Sequence, residues 1–497
     1  MRLTRAMSRT CNGANVGTRA AVAGAVLLGM TLGNACGPSP TPHGPTASPP
    51  PPNVLLVVLD TTRADALSCY GGPAGATPAI DALAAESTLY RAAYATSFWT
   101  LPSHGSMLTG RYPSEAGATS ETNHLPEQVT TLAEHLAAEG YRTGAVVRNP
   151  WLSAERGFAQ GFEHYLEAWR DDDGRSEVAG ERAATAAAVE WLRTSIDNVD
   201  PFFLFVNLNI AHLPYTPPEE VFHRFSSRDW PTARLARLRA IEGGWAHFAG
   251  ALPLDAEDFQ ILRELYTSEV AVADSLVADL LDAVRQPGAL DRTLVIVTSD
   301  HGENLGEHGL IDHLYSMFDT TVRVPLLIRY PARFTPELEV DEVVSLVDLV
   351  PTVLDTCGVL DADDDANAGM LARSLCDGGH GRREAVFAEN GRPINGIRLL
   401  QRFPDFDVRE IDHEMRMIRT DRHKLVWKVG RAAELYDLIA DPGETTDRGD
   451  VDRELRNELL DSLRLWVAEL DTTLRPGRFS SRDHESLQRL RALGYVE

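Results

Sequence analysis

The sequence predicts an α/β layered sandwich followed by a smaller α+β part, and three observations carry that expectation. Short, continuous apolar runs recur from Asn53 onward, helical patterns separate them, and beyond the acidic stretch Asp361 to Asp365 the runs become short and mixed. Apolar runs without alternation are the pattern of strands buried on both faces, typical of parallel sheets, and strands that alternate with helices build layered α/β folds. A chain of 497 residues holds either one large sheet with an appendage or several domains. With 43% hydrophobic and 24% charged residues it has the make-up of a soluble globular enzyme. Its formal charge of −25 disfavours nucleic acid as the main partner, because proteins that hold a phosphate backbone usually carry a basic stripe.

At the amino terminus, Arg2, Arg5, Arg9 and Arg19 precede an apolar run from Ala20 to Leu32. That run is short for a membrane span and fits the core of an export signal. Gly33, Asn34, Ala35 and Cys36 follow, and a small residue directly before Cys at the end of such a run resembles the lipobox of bacterial lipoproteins. Lipid attachment at Cys36, plain cleavage after Ala35 and an uncleaved anchor all remain open. The expected location is the cell envelope, with the membrane reached only through this anchor. Gly37 to Pro52 holds 8 prolines in 16 residues and reads as an extended tether. Of the remaining cysteines, Cys357 and Cys376 are the closer pair for a disulfide and Cys69 is left over.

From Asn53 the elements follow in order. Strands are expected at Val54 to Leu59, Phe202 to Leu208, Leu294 to Thr298 and Pro325 to Ile328. Helices are expected at Pro78 to Glu86, Val129 to Glu139, Arg182 to Ser195 and Glu257 to Val284. Between the first strands lies the segment Ser97 to Arg111, where Thr100, Pro102 and Gly110 mark a helix start and its C′ glycine. In the last part, Ala385 to Ala388, Met415 to Arg419 and Lys424 to Trp427 suggest a small antiparallel sheet, covered by a helix over Arg453 to Leu470. The resulting division is a signal at 1–35, a tether at 36–52, a catalytic domain at 53–382 and a carboxyl-terminal subdomain at 383–497.

Ligands of open α/β sheets bind beyond the carboxyl ends of the strands. Asp60 and the pair Asp300 and His301 each follow a predicted buried strand, so they meet at one rim, where two carboxylates and an imidazole suit a divalent cation. A hydroxyl at Thr100 stands at a helix amino terminus, a favourable place for a tetrahedral oxyanion. Taken singly, each has a plain structural reading as a cap or a turn.

In order along the chain, the motifs N-V-L-L-V-V-L-D-T-T-R-A-D from Asn53, T-L-P-S-H-G-S-M-L-T-G-R-Y-P from Thr100, G-Y-R-T-G from Gly140 and A-H-L-P-Y from Ala211 resemble those of one family. S-D-H-G-E-N-L-G-E-H-G from Ser299, V-P-L-L-I from Val324, V-D-L-V-P-T from Val347 and E-L-Y-D-L from Glu434 continue the likeness. They are similar to the sulfatases of the alkaline phosphatase superfamily. The resemblance implies an alkaline-phosphatase-like fold, one or two divalent metals, with one divalent metal ion (calcium, manganese or zinc) expected here, and hydrolysis or transfer of sulfate or phosphate esters in a small-molecule, glycan or lipid substrate. It also implies that Asp60, Asp300 and His301 hold the metal, that Thr61 stands where many sulfatases have a second carboxylate, that His212 contacts the ester near its leaving oxygen, and that His313 falls near a substrate-binding lysine position.

The nucleophile departs from the pattern. Sulfatases carry Cys or Ser followed by x-P-S-R, which is converted to formylglycine; here Thr100 and His104 occupy the first and last places. The resemblance then implies an unmodified Thr100 that binds the metal and attacks as a metal-activated hydroxyl. The set Asp60, Thr100, Asp300 and His301 is similar to the one-metal site of the superfamily's phosphoethanolamine and glycerophosphate transferases. Three functions stay open: an ester hydrolase, an envelope transferase and a catalytically silent binding protein. His104, Arg148 and Asn149 are candidates to bind the anion, Glu303 to support the site, His308 to fix the loop after Asp300, and Trp99 to pack beside the nucleophile.

Overall fold

Strand β1 (Asn53–Leu59) shows why an unalternating apolar run becomes the centre of this protein. In the computed structural model, Leu55, Val57 and Leu59 face one hydrophobic core and Val54, Leu56 and Val58 face another. A strand so placed needs apolar residues on both faces. The structure describes residues 50–171, 174–359, 371–376 and 383–470, and from Pro51 the chain forms one unit. The signal, Cys36, nearly all of the tether and the Asp361 to Asp365 stretch lie outside the described residues.

The remaining strands of the large sheet are β2 (Thr88–Tyr94), β3 (Arg142–Val147), β4 (His164–Glu167), β5 (Phe202–Leu208) and β6 (Thr293–Thr298). A two-stranded ribbon, β7 (Asn304–Leu305) with β8 (Ile311–Asp312), leads on to β9 (Arg323–Val324), β10 (Leu326–Arg329) and β11 (Leu338–Ser345). The order across the sheet is β11-β2-β10-β6-β1-β5-β3-β4, with β9 paired to β2. Strands β6, β1, β5, β3 and β4 run parallel. Their carboxyl ends therefore share one edge.

The run Pro325 to Ile328 departs from the parallel pattern its composition suggests, since β10 pairs antiparallel with both β6 and β2. Burial on both faces explains the composition; it does not fix the direction. Helices Pro78–Ala84, Glu177–Ile196 and Ala256–Val284 contribute to one core, and Thr100–Thr109, Leu132–Ala138 and Leu349–Thr356 to the other. Among the described residues no helix is long and apolar enough to cross a membrane.

The smaller sheet is antiparallel, β12 (Ala385–Asn390), β13 (Met415–Thr420), β14 (His423–Lys428) and β15 (Glu434–Asp437), in chain order. Helix Arg453–Glu469 covers one face through Leu459, Leu463 and Trp466, which pack with Ile418, Leu425 and Leu435. The opposite face joins Val386, Met417 and Val426 to Tyr94, Phe98 and Tyr315 of the larger part. This packing brings the end of β12 beside the segment that carries Thr100. The proposed pairing of Cys357 with Cys376 is not formed: Cys69, Cys357 and Cys376 are free thiols, and the Cys376 sulfur lies 3.2 Å from Thr356 Oγ1.

Candidate active site

Strands β1 and β6 are adjacent and parallel, so Asp60 just beyond one and Asp300 just beyond the other emerge side by side. With His301 they form a fully buried cluster whose ligand-type atoms lie within 4.8 Å of one another. Asp60 Oδ1 and Asp300 Oδ2 are buried and accept no hydrogen bond. Such an arrangement is costly when left empty, because a buried polar oxygen without a partner forfeits its hydration. The donor set of two carboxylates and an imidazole fits a divalent cation.

The other contacts orient these groups. Asp60 Oδ2 accepts hydrogen bonds from Asn207 Nδ2 at 3.0 Å and Asn149 Nδ2 at 2.9 Å. Asp300 Oδ1 accepts from the backbone N–H of His301 at 2.9 Å and of Thr61 at 3.2 Å. His301 Nδ1 donates to the Gly302 carbonyl at 3.0 Å, which leaves Nε2 as its lone-pair nitrogen. Burial, reinforced by the charge of Asp300, pushes the Asp60 carboxyl up to about 7. Burial also acts to raise Asp300, but His301 and His104 beside it outweigh that and hold it below the usual range.

Thr61 adopts a left-handed conformation, φ 55°, which is strained for a β-branched residue. It is held there by Tyr266, whose hydroxyl donates to the Thr61 carbonyl at 2.8 Å. The Thr61 hydroxyl donates to the Asp60 carbonyl at 2.8 Å. Its side chain is thus spent on the backbone where many sulfatases have a second acid.

Thr100 is the first residue of helix Thr100–Thr109, and Trp99, not Thr100, occupies the cap position. The helix ends at Gly110 in the left-handed conformation, φ 68°. Free of a capping role, the Thr100 hydroxyl lies 3.5 Å from His301 Nε2 and accepts from Asn149 Nδ2 at 3.2 Å. His104, one turn on, donates from Nδ1 to the Thr100 carbonyl at 3.0 Å, and that nitrogen is 3.3 Å from Asp300 Oδ2. Although burial opposes it, the two nearby carboxylates raise the pKa of His104.

Three imidazoles line up beside this cluster. The ring of His313 stands 4.5 Å from that of His301 and 5.1 Å from that of His212, centroid to centroid. His313 Nδ1 lies 2.9 Å from Asp312 Oδ1 and 3.7 Å from Glu303 Oε1. Burial works against the charged form of His313, but these acids raise its pKa well above the ordinary value. His212 behaves oppositely: burial and the neighbouring His313 lower it to about 4, and its Nδ1 donates to the Leu213 carbonyl at 2.6 Å. Asp60, Thr100, His104, His212, Asp300, His301 and His313 thus form one connected cluster, all of them at most 3% exposed.

Asn149 joins the cluster directly. Arg148 does not point into it; its guanidinium contacts Glu177 and Glu181. Glu303 lies behind His313, and His308 stacks on Phe318 at 3.6 Å. The sequence reading missed Asn207, Asp312 and Asn209, whose Oδ1 accepts from Asn149 Nδ2 at 3.2 Å. Asn207 is the lone polar residue of β5 and also accepts from the backbone N–H of Asn149 at 3.0 Å. A polar side chain inside an otherwise apolar buried strand was the available signal.

Comparison with known proteins identifies the family. The sulfatase family model matches residues 52–359, and a model described as the carboxyl-terminal part of N-sulphoglucosamine sulphohydrolase matches residues 306–468. Arylsulfatase K of Bos taurus is 27% identical over 443 residues, 81% of this chain and 79% of that protein. An uncharacterised sulfatase of Escherichia coli is 25% identical over 89% of this chain and 92% of its own. A crystal structure of a phosphonate monoester hydrolase of Agrobacterium radiobacter superposes with a TM-score of 0.67 at 24% identity, covering 85% of this chain and 97% of that one. With its family model matched over most of the chain and its fold shared, the protein belongs to the sulfatase family and is an ester hydrolase.

Proposed function

We propose that the protein hydrolyses phosphate-type esters in preference to sulfate esters, with Thr100 as an unmodified nucleophile and Asp60, Asp300 and His301 holding one divalent cation. The observation that carries this reading is the placement of the Thr100 hydroxyl against His301 and Asn149, at the edge of two buried carboxylate oxygens that accept no hydrogen bond. A cation bound there would supply Lewis acidity, lowering the pKa of the hydroxyl and neutralising charge on the ester oxygens.

The chain's own groups account for the remaining steps. Asn149 donates to Thr100 Oγ1 and favours the alkoxide over the hydroxyl. Attack by that oxygen, its proton passing to water, forms the bond to the central atom in line with the leaving oxygen, gives a Thr100 ester and breaks the substrate's ester bond. His313, kept protonated by Asp312 and Glu303, supplies the proton that the leaving oxygen needs. His212, neutral and tied to the Leu213 carbonyl, forms the wall beside it. Water must then attack the central atom of the Thr100 ester, giving its proton to the now neutral His313, while the bond to Thr100 Oγ1 breaks and the product is released. Phosphorus accepts a second displacement more readily than sulfur does, and no aldehyde hydrate is available here to expel sulfate by elimination. That difference favours the phosphate reading.

The test is a panel of aryl sulfate, phosphate monoester, phosphodiester and phosphonate monoester substrates with Ca²⁺, Mn²⁺ and Zn²⁺ in turn, on wild type and Thr100→Ala. A phosphate-type substrate should rank first, and Thr100→Ala should lose several powers of ten in rate, each tenfold being about 1.4 kcal/mol of barrier. Exclusive sulfate hydrolysis, or wild-type rates in Thr100→Ala, would overturn the proposal. We also propose export to the cell envelope with a lipid at Cys36, supported by the amino-terminal sequence pattern.

A further inference from the structure

Directly beside the catalytic cluster is a pocket walled by Phe98, Trp99, Trp151, Trp245 and Tyr315, with His313 as a further lining residue. These residues come from distant parts of the chain. Trp99 precedes the Thr100 helix, Trp151 follows β3, Trp245 opens a short helix, and Tyr315 follows β8. They pack edge to face: Trp99 on Trp151 at 5.1 Å between ring centroids, and Phe98 on Tyr315 at 6.2 Å. The catalytic groups are nearly inaccessible, so a substrate needs an approach beside them, and His313 belongs to both the cluster and this pocket.

We propose that this pocket receives the leaving group of the ester and selects a flat, uncharged ring of aryl type, an inference that rests on the ester-hydrolase reading of the Thr100 site. Three observations carry it. First, apart from His313 the lining contains no Lys, Arg, Asp or Glu, so a polyanionic glycan finds no cation beyond the one turned to the leaving oxygen, and a cationic headgroup finds that charge and no carboxylate.

Second, the polar side chains of Asn390, Asn395 and Ser120 in the lining already bond to the protein. Asn390 Oδ1 accepts from Trp99 Nε1 at 2.8 Å and from Ser97 Oγ at 3.2 Å, and its Nδ2 donates to the Gly391 carbonyl at 2.9 Å. Asn395 Nδ2 donates to Asn123 Oδ1 at 3.2 Å, and Ser120 Oγ donates to the Arg392 carbonyl at 2.7 Å. A sugar ring would bury hydroxyls here with few groups left to meet them, whereas an aryl ring has none to satisfy.

Third, the backbone is built to let Trp245 lie close. A Cβ on Gly396 would meet the indole Cη2 at 2.4 Å, so only glycine permits the indole to rest against helix Ile394–Leu400. Aromatic walls in offset and edge-to-face arrangements are what a flat apolar ring packs against best.

The experiment measures binding, which separates this inference from turnover. Calorimetry on the metal-loaded wild-type protein would compare three inert probes: methylphosphonate, benzylphosphonate and the trimethylammonioethyl phosphonate. Benzylphosphonate should bind at least tenfold more tightly than methylphosphonate, about 1.4 kcal/mol, and the cationic probe should gain nothing over methyl. Trp245→Ala should bring the benzyl and methyl affinities within about twofold of each other, and Trp245→Phe should restore most of the preference. Gly396→Ala, by displacing the indole, should weaken benzylphosphonate selectively. Equal affinity of the benzyl and methyl probes for wild type, or tighter binding of the cationic probe, would overturn the inference while leaving the hydrolase reading intact. Failure of every phosphonate to bind the metal-loaded protein would instead remove the anion site itself, and both readings with it.

Discussion

Asp60 is held at the site by two amides, Asn149 and Asn207, and its free oxygen waits for a partner. Groups that orient a ligating carboxylate are typically worth 10- to 100-fold in metal affinity or activity. Asn207→Leu should therefore lower metal affinity by about that factor and leave the circular dichroism spectrum unchanged, while Asp300→Asn should remove metal and activity together, as elemental analysis and rate measurements would show. Retention of full metal content in Asp300→Asn would refute the assignment. The main site residues were readable because Asp60, Asp300 and His301 follow apolar runs directly, a position that places them at the sheet rim whatever the details. Asn207, Asn209 and Asp312 were not readable in that way. Their roles depend on how β5 registers between β1 and β3, and on a ribbon that folds Asp312 back beside Glu303, both of which are long-range facts. Trp99 was read as packing, and it does bond to Asn390; its second face, toward the aromatic pocket, arises from residues about 50 to nearly 300 positions later in the chain.

At the scale of elements, buried runs were recognisable wherever both faces are apolar, as in β1, β5 and β6. Strand β11, L-E-V-D-E-V-V-S, is exposed over its first half and carries no such signature. The direction of β10 escaped for another reason, since packing on two cores constrains side chains and not chain polarity. The long helix Ala256–Val284 shows an element acting on the site at a distance. Its Glu269 is buried, and Oε1 accepts from the backbone N–H of Thr216 at 2.6 Å, which pins the segment just after His212. Burial raises the Glu269 pKa well above 4.5, with the charges of Glu177 and Glu181 adding to it. A carboxyl whose folded pKa is raised stabilises fully below its unfolded pKa, near 4.5, and loses that contribution as pH rises toward the folded value. Stability measured by urea unfolding should thus decline as pH rises above about 5, with this group contributing at most about 1.4 kcal/mol per pH unit. Glu269→Gln keeps an acceptor for Thr216 and should flatten that decline. An identical pH profile in wild type and Glu269→Gln would show that the carboxyl is ionised in the folded protein.

For the molecule as a whole, the physical question is where the folded unit begins and what the proposed lipid at Cys36 would do for it. Pro52 is buried, and its carbonyl accepts from the Tyr141 hydroxyl at 3.0 Å, so the packed structure starts just before β1. The preceding proline-rich stretch has no apolar periodicity with which to build a core. A chain starting at Pro51 should therefore unfold at the same denaturant midpoint as the full chain and keep its rate constants, since the site is assembled wholly from later residues. If the lipid at Cys36 is the anchor, Cys36→Ala should move the activity from the membrane fraction to the soluble fraction, and a single acyl chain alone would bind only marginally where two chains hold firmly. The strongly negative body, at −25 overall, gives no electrostatic attraction to an anionic bilayer that might compensate for the missing lipid. Membrane retention of the Cys36→Ala protein at high salt would then exclude lipid as the sole tether, and mass spectrometry of the wild-type amino terminus, expected to show a diacylated Cys36, provides the independent check.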